Sequence, residues 1–140
     1  MIDTPGKTLH LERMYEVPQD RVFKAWSSSE AVSSWFGLDP EAKTIAEVDF
    51  REGGVYVLNS GAYTVRGVYK EISPHDKISF TWLWDHDQEV PEMFVSIEFT
   101  PTNTGTKMTL IHDHIADQER LEQHKYGWEI ALPKIQDNVT

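Results

Sequence analysis

The stretch Thr106-Lys-Met-Thr-Leu-Ile-His-Asp-His-Ile115, followed after Ala116 by Asp117-Gln-Glu-Arg-Leu-Glu-Gln-His-Lys-Tyr-Gly-Trp-Glu-Ile-Ala-Leu132, changes its period part-way along. In the first half Met108, Leu110 and His112 alternate with Thr109, Ile111 and Asp113, the two-residue repeat of a strand. From about Asp117 the pattern shifts. Leu121, His124, Trp128, Leu132 and Ile135 recur at steps of three and four, one face of a helix running to about Asp137. Pro133 lies inside it and should kink the helix or end its regular part, because proline has no N–H and its ring crowds the preceding turn. A helix with such a face needs a surface to cover.

The rest of the chain reads as that surface. Thr8 to Glu16 alternates with period two and is stopped by Pro18. Val22, Phe23 and Trp26 then fall at helical spacing, and Glu30 to Trp35 forms a second short helix with N-cap hydroxyls available from Ser27 to Ser29. Gly37 ends it at little conformational cost. Strand patterns follow at Ile45–Arg51, Val55–Asn59, Tyr63–Ile72, Ile78–Asp85 and through Met93, Val95, Ile97 and Phe99, before the strand quoted above. Gly53-Gly54, Ser60-Gly61, Ser73–Lys77 and Thr102–Gly105 are turns. Asp85 to Pro91 is a polar loop. The order is strand, two short helices, six strands, long helix. That is an α+β domain over residues 1–140, a curved and mostly antiparallel sheet of six to seven strands around a C-terminal helix. Such a shape tends to leave a cavity able to hold a small molecule.

Composition narrows the function. The chain has no Cys, which excludes disulfides, thiol nucleophiles and thiolate metal sites. Its formal charge of −10 speaks against nucleic acid and anionic membrane surfaces as partners. No secretory signal is visible and no apolar run approaches the roughly 18 residues of a membrane span, so the expectation is a soluble cytoplasmic protein. No P-loop, dinucleotide fingerprint or nucleophile elbow occurs, and no cofactor is expected. The acidic loop Asp85-His-Asp-Gln-Glu89 lacks the spaced ligands of a calcium site and reads as a solvated connection.

In this order, Arg13-x-Tyr-x-Val-Pro18, Val22-Phe-x-Ala-Trp26, Ser29-Glu30, Trp35-Phe-Gly37, Gly53-Gly54, Gly67-Val-Tyr-x-Glu-Ile72, Phe80-Thr-Trp82, Gly105-Thr-x-Met-Thr-Leu110, His112 and His124-x-x-Gly-Trp128 resemble the START-like (SRPBCC) superfamily with its helix-grip fold. The match is closest to the subfamily named for the C-terminal domain of the activator of Hsp90 ATPase, over roughly residues 7 to 138. The resemblance implies the fold strongly and the ligand hardly at all. It also implies a shared structural or pocket role for His112 and His124, positions that commonly carry histidine in the subfamily.

Arg13 shares a strand face with Leu9, Leu11 and Tyr15, so it is expected to be paired, with Glu47 or Asp49 as partner, or to anchor a ligand anion. His112 and His124 read as hydrogen-bonded histidines lining the core or the cavity mouth, with general acid–base work as the alternative. No metal-ligand spacing is present. The aromatics are the stronger clue. The expected ligand wall is Trp82, Trp84, Val95, Ile97, Met108, Leu110 and His112 from inner strand positions, with His124 and Trp128 from the helix. Arg13, Tyr63 and Tyr69 are the candidate polar anchors. The leading expectation is binding of a small hydrophobic molecule, aromatic or lipid-like, by a protein that is not an enzyme. One alternative is a cyclase, dehydratase or hydrolase, for which Arg13, His112, His124 and Tyr63 or Tyr69 would be the acid–base set. Another is an Hsp90 ATPase regulator, a reading carried only by the subfamily's name; the N-terminal domain that precedes this one in the eukaryotic co-chaperone has no counterpart before residue 8.

Overall fold

The alternating segments become one seven-stranded antiparallel sheet in the computed structural model, which describes residues 6–37, 43–61, 63–85 and 92–139. The elements are β1 (Lys7–Tyr15), α1 (Gln19–Lys24), α2 (Ser29–Trp35), β2 (Thr44–Val48), β3 (Val55–Ser60), β4 (Tyr63–Ser73), β5 (Lys77–Trp84), β6 (Met93–Pro101), β7 (Thr106–Ile115), α3 (Gln118–Ala131) and α4 (Pro133–Val139). The sheet order is β1-β7-β6-β5-β4-β3-β2. Strands β2 to β7 are thus a meander, and the N-terminal strand closes onto the last one. The expected helix-grip architecture is the observed one. The loop Asp85–Pro91 lies, after Asp85, outside the described residues.

The register places the inner face. Phe80 faces Val95 across β5–β6, and Val95 faces His112 across β6–β7, so all three sit on one side. Ile78, Ile97 and Leu110 form the next such row, and all are fully buried. In helix α2 the Ser28 hydroxyl accepts from Ala31 N–H, the N-cap chemistry expected of the serine run. The C-terminal helix ends its regular part where proline requires it. Leu132 N–H still donates to Trp128 O, but Pro133 cannot continue the ladder, and α4 starts there.

Three contacts hold α4 in place. The Tyr15 hydroxyl, buried at the end of β1, donates to Leu132 O at 2.9 Å. Glu16 N–H donates to Gln136 Oε1, and Lys134 Nζ donates to Gly37 O at 3.2 Å. The end of β1 and the segment after α2 are therefore both tied to the helical segment around Pro133.

The expected pairing of Arg13 with Glu47 or Asp49 does not occur. Arg13 stands opposite Met108 on inner-face register, but β1 is an edge strand and its side chain is exposed. Glu47 is on β2, at the other edge of the sheet, and Asp49 pairs with Arg51. The period of β1 was legible, but the strand at its side was not its neighbour in sequence.

Gly67 is required by packing. It faces Tyr56 across β3–β4, and the Tyr56 ring passes over it to donate its hydroxyl to Thr81 O. A Cβ at residue 67 would collide with both the Tyr56 ring and the Thr81 carbonyl. Gly67→Ala is expected to lower stability by about 1–3 kcal/mol, read from urea unfolding midpoints.

Candidate functional site

Aromatic side chains from five strands and three helical segments meet on the inner face. Trp26, just past α1, stands edge-on to Trp35 of α2 with ring centroids 4.5 Å apart. It also reaches Trp128 of α3 at 6.2 Å. Trp128 lies 5.2 Å from Trp82 of β5, and Trp82 lies 5.4 Å from the ring of His112. His112 is 4.6 Å from His124, which touches Trp84 at 6.0 Å. The rings form a continuous chain from the buried core to the half-exposed end of β5.

The indole and imidazole nitrogens fix the protonation pattern. Trp128 Nε1–H donates to His112 Nδ1 at 3.1 Å, so the neutral His112 carries its proton on Nε2. Trp84 Nε1–H donates to His124 Nε2 at 2.9 Å, so His124 carries its proton on Nδ1 and donates it to Arg120 O at 2.7 Å. Burial pushes the His112 imidazole well below its ordinary value of 6.5, and the neighbouring His124 adds to the effect. Burial likewise raises the hydroxyls of Tyr56 and Tyr69, which remain O–H groups. The buried part of this face, with His112 neutral, offers hydrogen bonds and apolar contact.

A cavity of about 20 Å³ opens within the cluster, enough for about one water molecule. Its walls come from α2 and its C-cap (Val32, Trp35 and Phe36), from Trp26 just past α1, from β2 to β5, and from Trp128. Of the residues singled out in the sequence, Trp82, Trp128 and Tyr69 are on this wall. Val95, Ile97, Met108, Leu110 and His112 are buried in the β6–β7 half of the sheet, beside the cavity and not on its wall. Trp84 and His124 are half-buried at the end of the ring chain. Tyr63 is half-exposed at the start of β4, and Arg13 is at the far edge. The acid–base set Arg13, His112, His124, Tyr63 and Tyr69 is therefore not gathered in one place.

The wall also takes Trp26, Trp35, Phe36, Tyr56 and Phe80, aromatics outside the set expected to line it. All were visible as aromatics, and Trp26 was visible on a helical face. Where α1 and α2 dock depends on the curvature of the sheet, which spacing along the chain does not encode. Among the described residues no group of three or more His, Asp or Glu side chains is placed to hold a metal, and no helix is long and apolar enough to cross a membrane.

His112 gives the fold a pH dependence. Its pKa is lower in the folded than in the unfolded chain, so the unfolded state takes up the proton first as pH falls below 6.5. Its contribution is complete above 6.5 and shrinks as pH falls toward the aspartate range at 3.8. Stability should decline over that window by at most about 1.4 kcal/mol per pH unit from this group. His112→Leu is expected to flatten the slope in urea titrations run across it. An unchanged slope would mean that other groups set it.

The residues 16–140 match the family model described as "Activator of Hsp90 ATPase homolog 1-like protein". Among solved structures, protein CV1439 from Chromobacterium violaceum is 27% identical, with a TM-score of 0.81 over 94% of this chain and 96% of that one. The AHSA1 protein SPO3351 from Silicibacter pomeroyi is 26% identical, with a TM-score of 0.75 over 94% and 96%. PFC0360w from Plasmodium falciparum, described as an HSP90 activator, is 26% identical, with a TM-score of 0.75 over 95% and 96%. No curated protein matches the sequence. The sheet closed by its N-terminal strand, the helix pair broken at Pro133 and the family match over nearly the whole chain agree: the chain belongs to the Activator of Hsp90 ATPase homolog 1-like family.

Proposed function

We propose that this chain binds a small hydrophobic molecule, flat and aromatic in preference to a long acyl chain, between the β2–β5 half of the sheet and the helices above it. The family and fold support a ligand-binding or regulatory role in general. The observation that carries the finer reading is the cavity walled almost wholly by rings and aliphatic side chains, with Trp82 and Trp128 in ring contact on its wall. Flat rings stack on such walls, and each stacked pair adds about 0.5–1.5 kcal/mol beyond area burial. The side chains named from the sequence on β6 and β7, with His112 and His124, form the adjoining wall that an enlarged cavity would reach.

At about 20 Å³ the cavity is closed to any ligand larger than water, so binding requires a ring or a helix to move. Trp128 is the natural moving part. It is carried by α3, whose C-terminal end is a break at Pro133, and among the described residues its indole is held by one hydrogen bond, to His112. Binding is thus coupled to displacement of α3, with affinity reduced by the free energy of that opening. The enzymatic reading lacks a gathered acid–base set. The Hsp90 reading has no site observation of its own.

A panel of naphthalene-type and fatty-acyl probes tests the proposal by thermal shift and tryptophan emission. A probe at 100 times its dissociation constant should stabilise the protein by about 2.7 kcal/mol. Trp128→Ala is expected to lower stability by about 3–5 kcal/mol and to raise aromatic-probe affinity, because the opening step is removed. Trp128→Phe serves as the milder variant. Absence of any shift in wild type and in both variants would refute binding at this site.

A further inference from the structure

Three N–H donors in the ring cluster meet no acceptor of the chain among the described residues: Trp26 Nε1, Trp82 Nε1 and His112 Nε2. All three side chains are at most 5% exposed. The other three tryptophans differ. Trp35 donates to Ala25 O at 2.8 Å, and Trp84 and Trp128 donate to the two histidines. An unmet buried donor costs about 1–3 kcal/mol, and native proteins hold few of them. Here three fall in one connected set of rings. Trp26 and Trp82 are on the cavity wall, and the His112 ring lies against Trp82.

The unmet groups are all donors. His112 accepts at Nδ1 from Trp128, which leaves its free nitrogen as an N–H. No Lys or Arg lines the cavity. A carboxylate brought here would be buried with no counter-charge, which is strongly unfavourable. A hydrocarbon or a plain acyl chain would leave the donors unmet. A neutral oxygen acceptor, of the ketone, quinone or amide type, meets both conditions.

We propose that Trp26 and Trp82, on the cavity wall, are the specificity-determining polar contacts of this pocket, with His112 behind Trp82 as a further donor once the cavity enlarges, and that its ligand is an uncharged aromatic molecule bearing a carbonyl-type oxygen that accepts from one or two of them. The proposal rests on the ligand-binding reading above and adds the chemical class. The donors act by selection: correct ligands meet them, and shape-matched molecules without the oxygen do not.

The test compares 2-acetylnaphthalene, its isostere 2-isopropenylnaphthalene, in which CH₂ replaces the carbonyl oxygen, and 2-naphthoate. Dissociation constants are measured by calorimetry on wild type, Trp82→Phe and Trp26→Phe. In wild type the ketone should bind about tenfold tighter than the alkene, the worth of one well-made hydrogen bond, and tighter than the carboxylate. That ratio should fall toward one in at least one variant. Because it is taken within each variant, lost ring volume cancels. A variant that does not fold is replaced by a readout on wild type: the indole N–H resonances of Trp26 and Trp82 should move downfield with the ketone and not with the alkene. Equal binding of ketone and alkene, or tighter binding of the carboxylate, overturns the donor assignment and leaves hydrophobic binding intact. Binding by none of the three overturns both.

Discussion

A sheet with one aromatic face must have that face covered, and nearly everything else in this protein follows from how the covering is done. Each buried ring removes about 150–250 Å² from water, worth about 5 kcal/mol before entropy is counted. The inner face is too wide for one helix. α3 covers part of it with Trp128, Leu132 at its C-cap and Ile135 of α4 extend the cover, and Trp26 just past α1 and Trp35 of α2 add to it. Trp128 is where these parts meet, in ring contact with Trp26, Phe36, Trp82 and His112.

Covering a sheet with indoles and imidazoles brings polar edges into the interior, and these must be matched by geometry. Two are matched reciprocally, Trp84 with His124 and Trp128 with His112. Each pair uses a histidine as an acceptor, which requires it to be neutral. The pairing therefore makes the cluster donor-rich and uncharged. For His112, whose burial holds it neutral, this removes the ordinary role of histidine as a proton carrier and leaves it as an orienting group for tryptophan.

Much of the fold was legible because its signals are local. The shift in period near Asp117, the serine N-cap of α2 and the break at Pro133 each rest on a few adjacent residues. The inner parity of Trp82, Ile97, Leu110 and His112 was equally readable, since alternation alone decides it. What was not readable was anything set by pairing between distant segments. Arg13 was given a partner on the strand that follows it in sequence, whereas β1 pairs with β7. The expected wall ran from Trp82 and Trp84 of β5 across β6 and β7 to His124 and Trp128; the cavity shares Trp82 and Trp128 with it and otherwise lies over β2 to β5, where α2 and the residues just past α1 dock. The hydrogen-bonded Trp–His pairs could not be foreseen either, because they depend on distances between side chains of separate elements.

The N-terminal strand has a consequence for how the chain reaches this state. β1 has no partner until β7 exists, and Tyr15 meets its acceptor Leu132 across 117 residues. Strands β2 to β7 can pair in order, each with its predecessor, but the edge beside β7 is left open until the first strand returns to it. Closing so long a loop is entropically slow, and contacts this distant in sequence are associated with slow folding. On the ribosome, the first strand must wait for β7 and then Leu132 to emerge. Until then β7 presents an unpaired edge and the aromatic face lacks its α3–α4 cover, which makes that interval the aggregation-sensitive stage of the molecule's life.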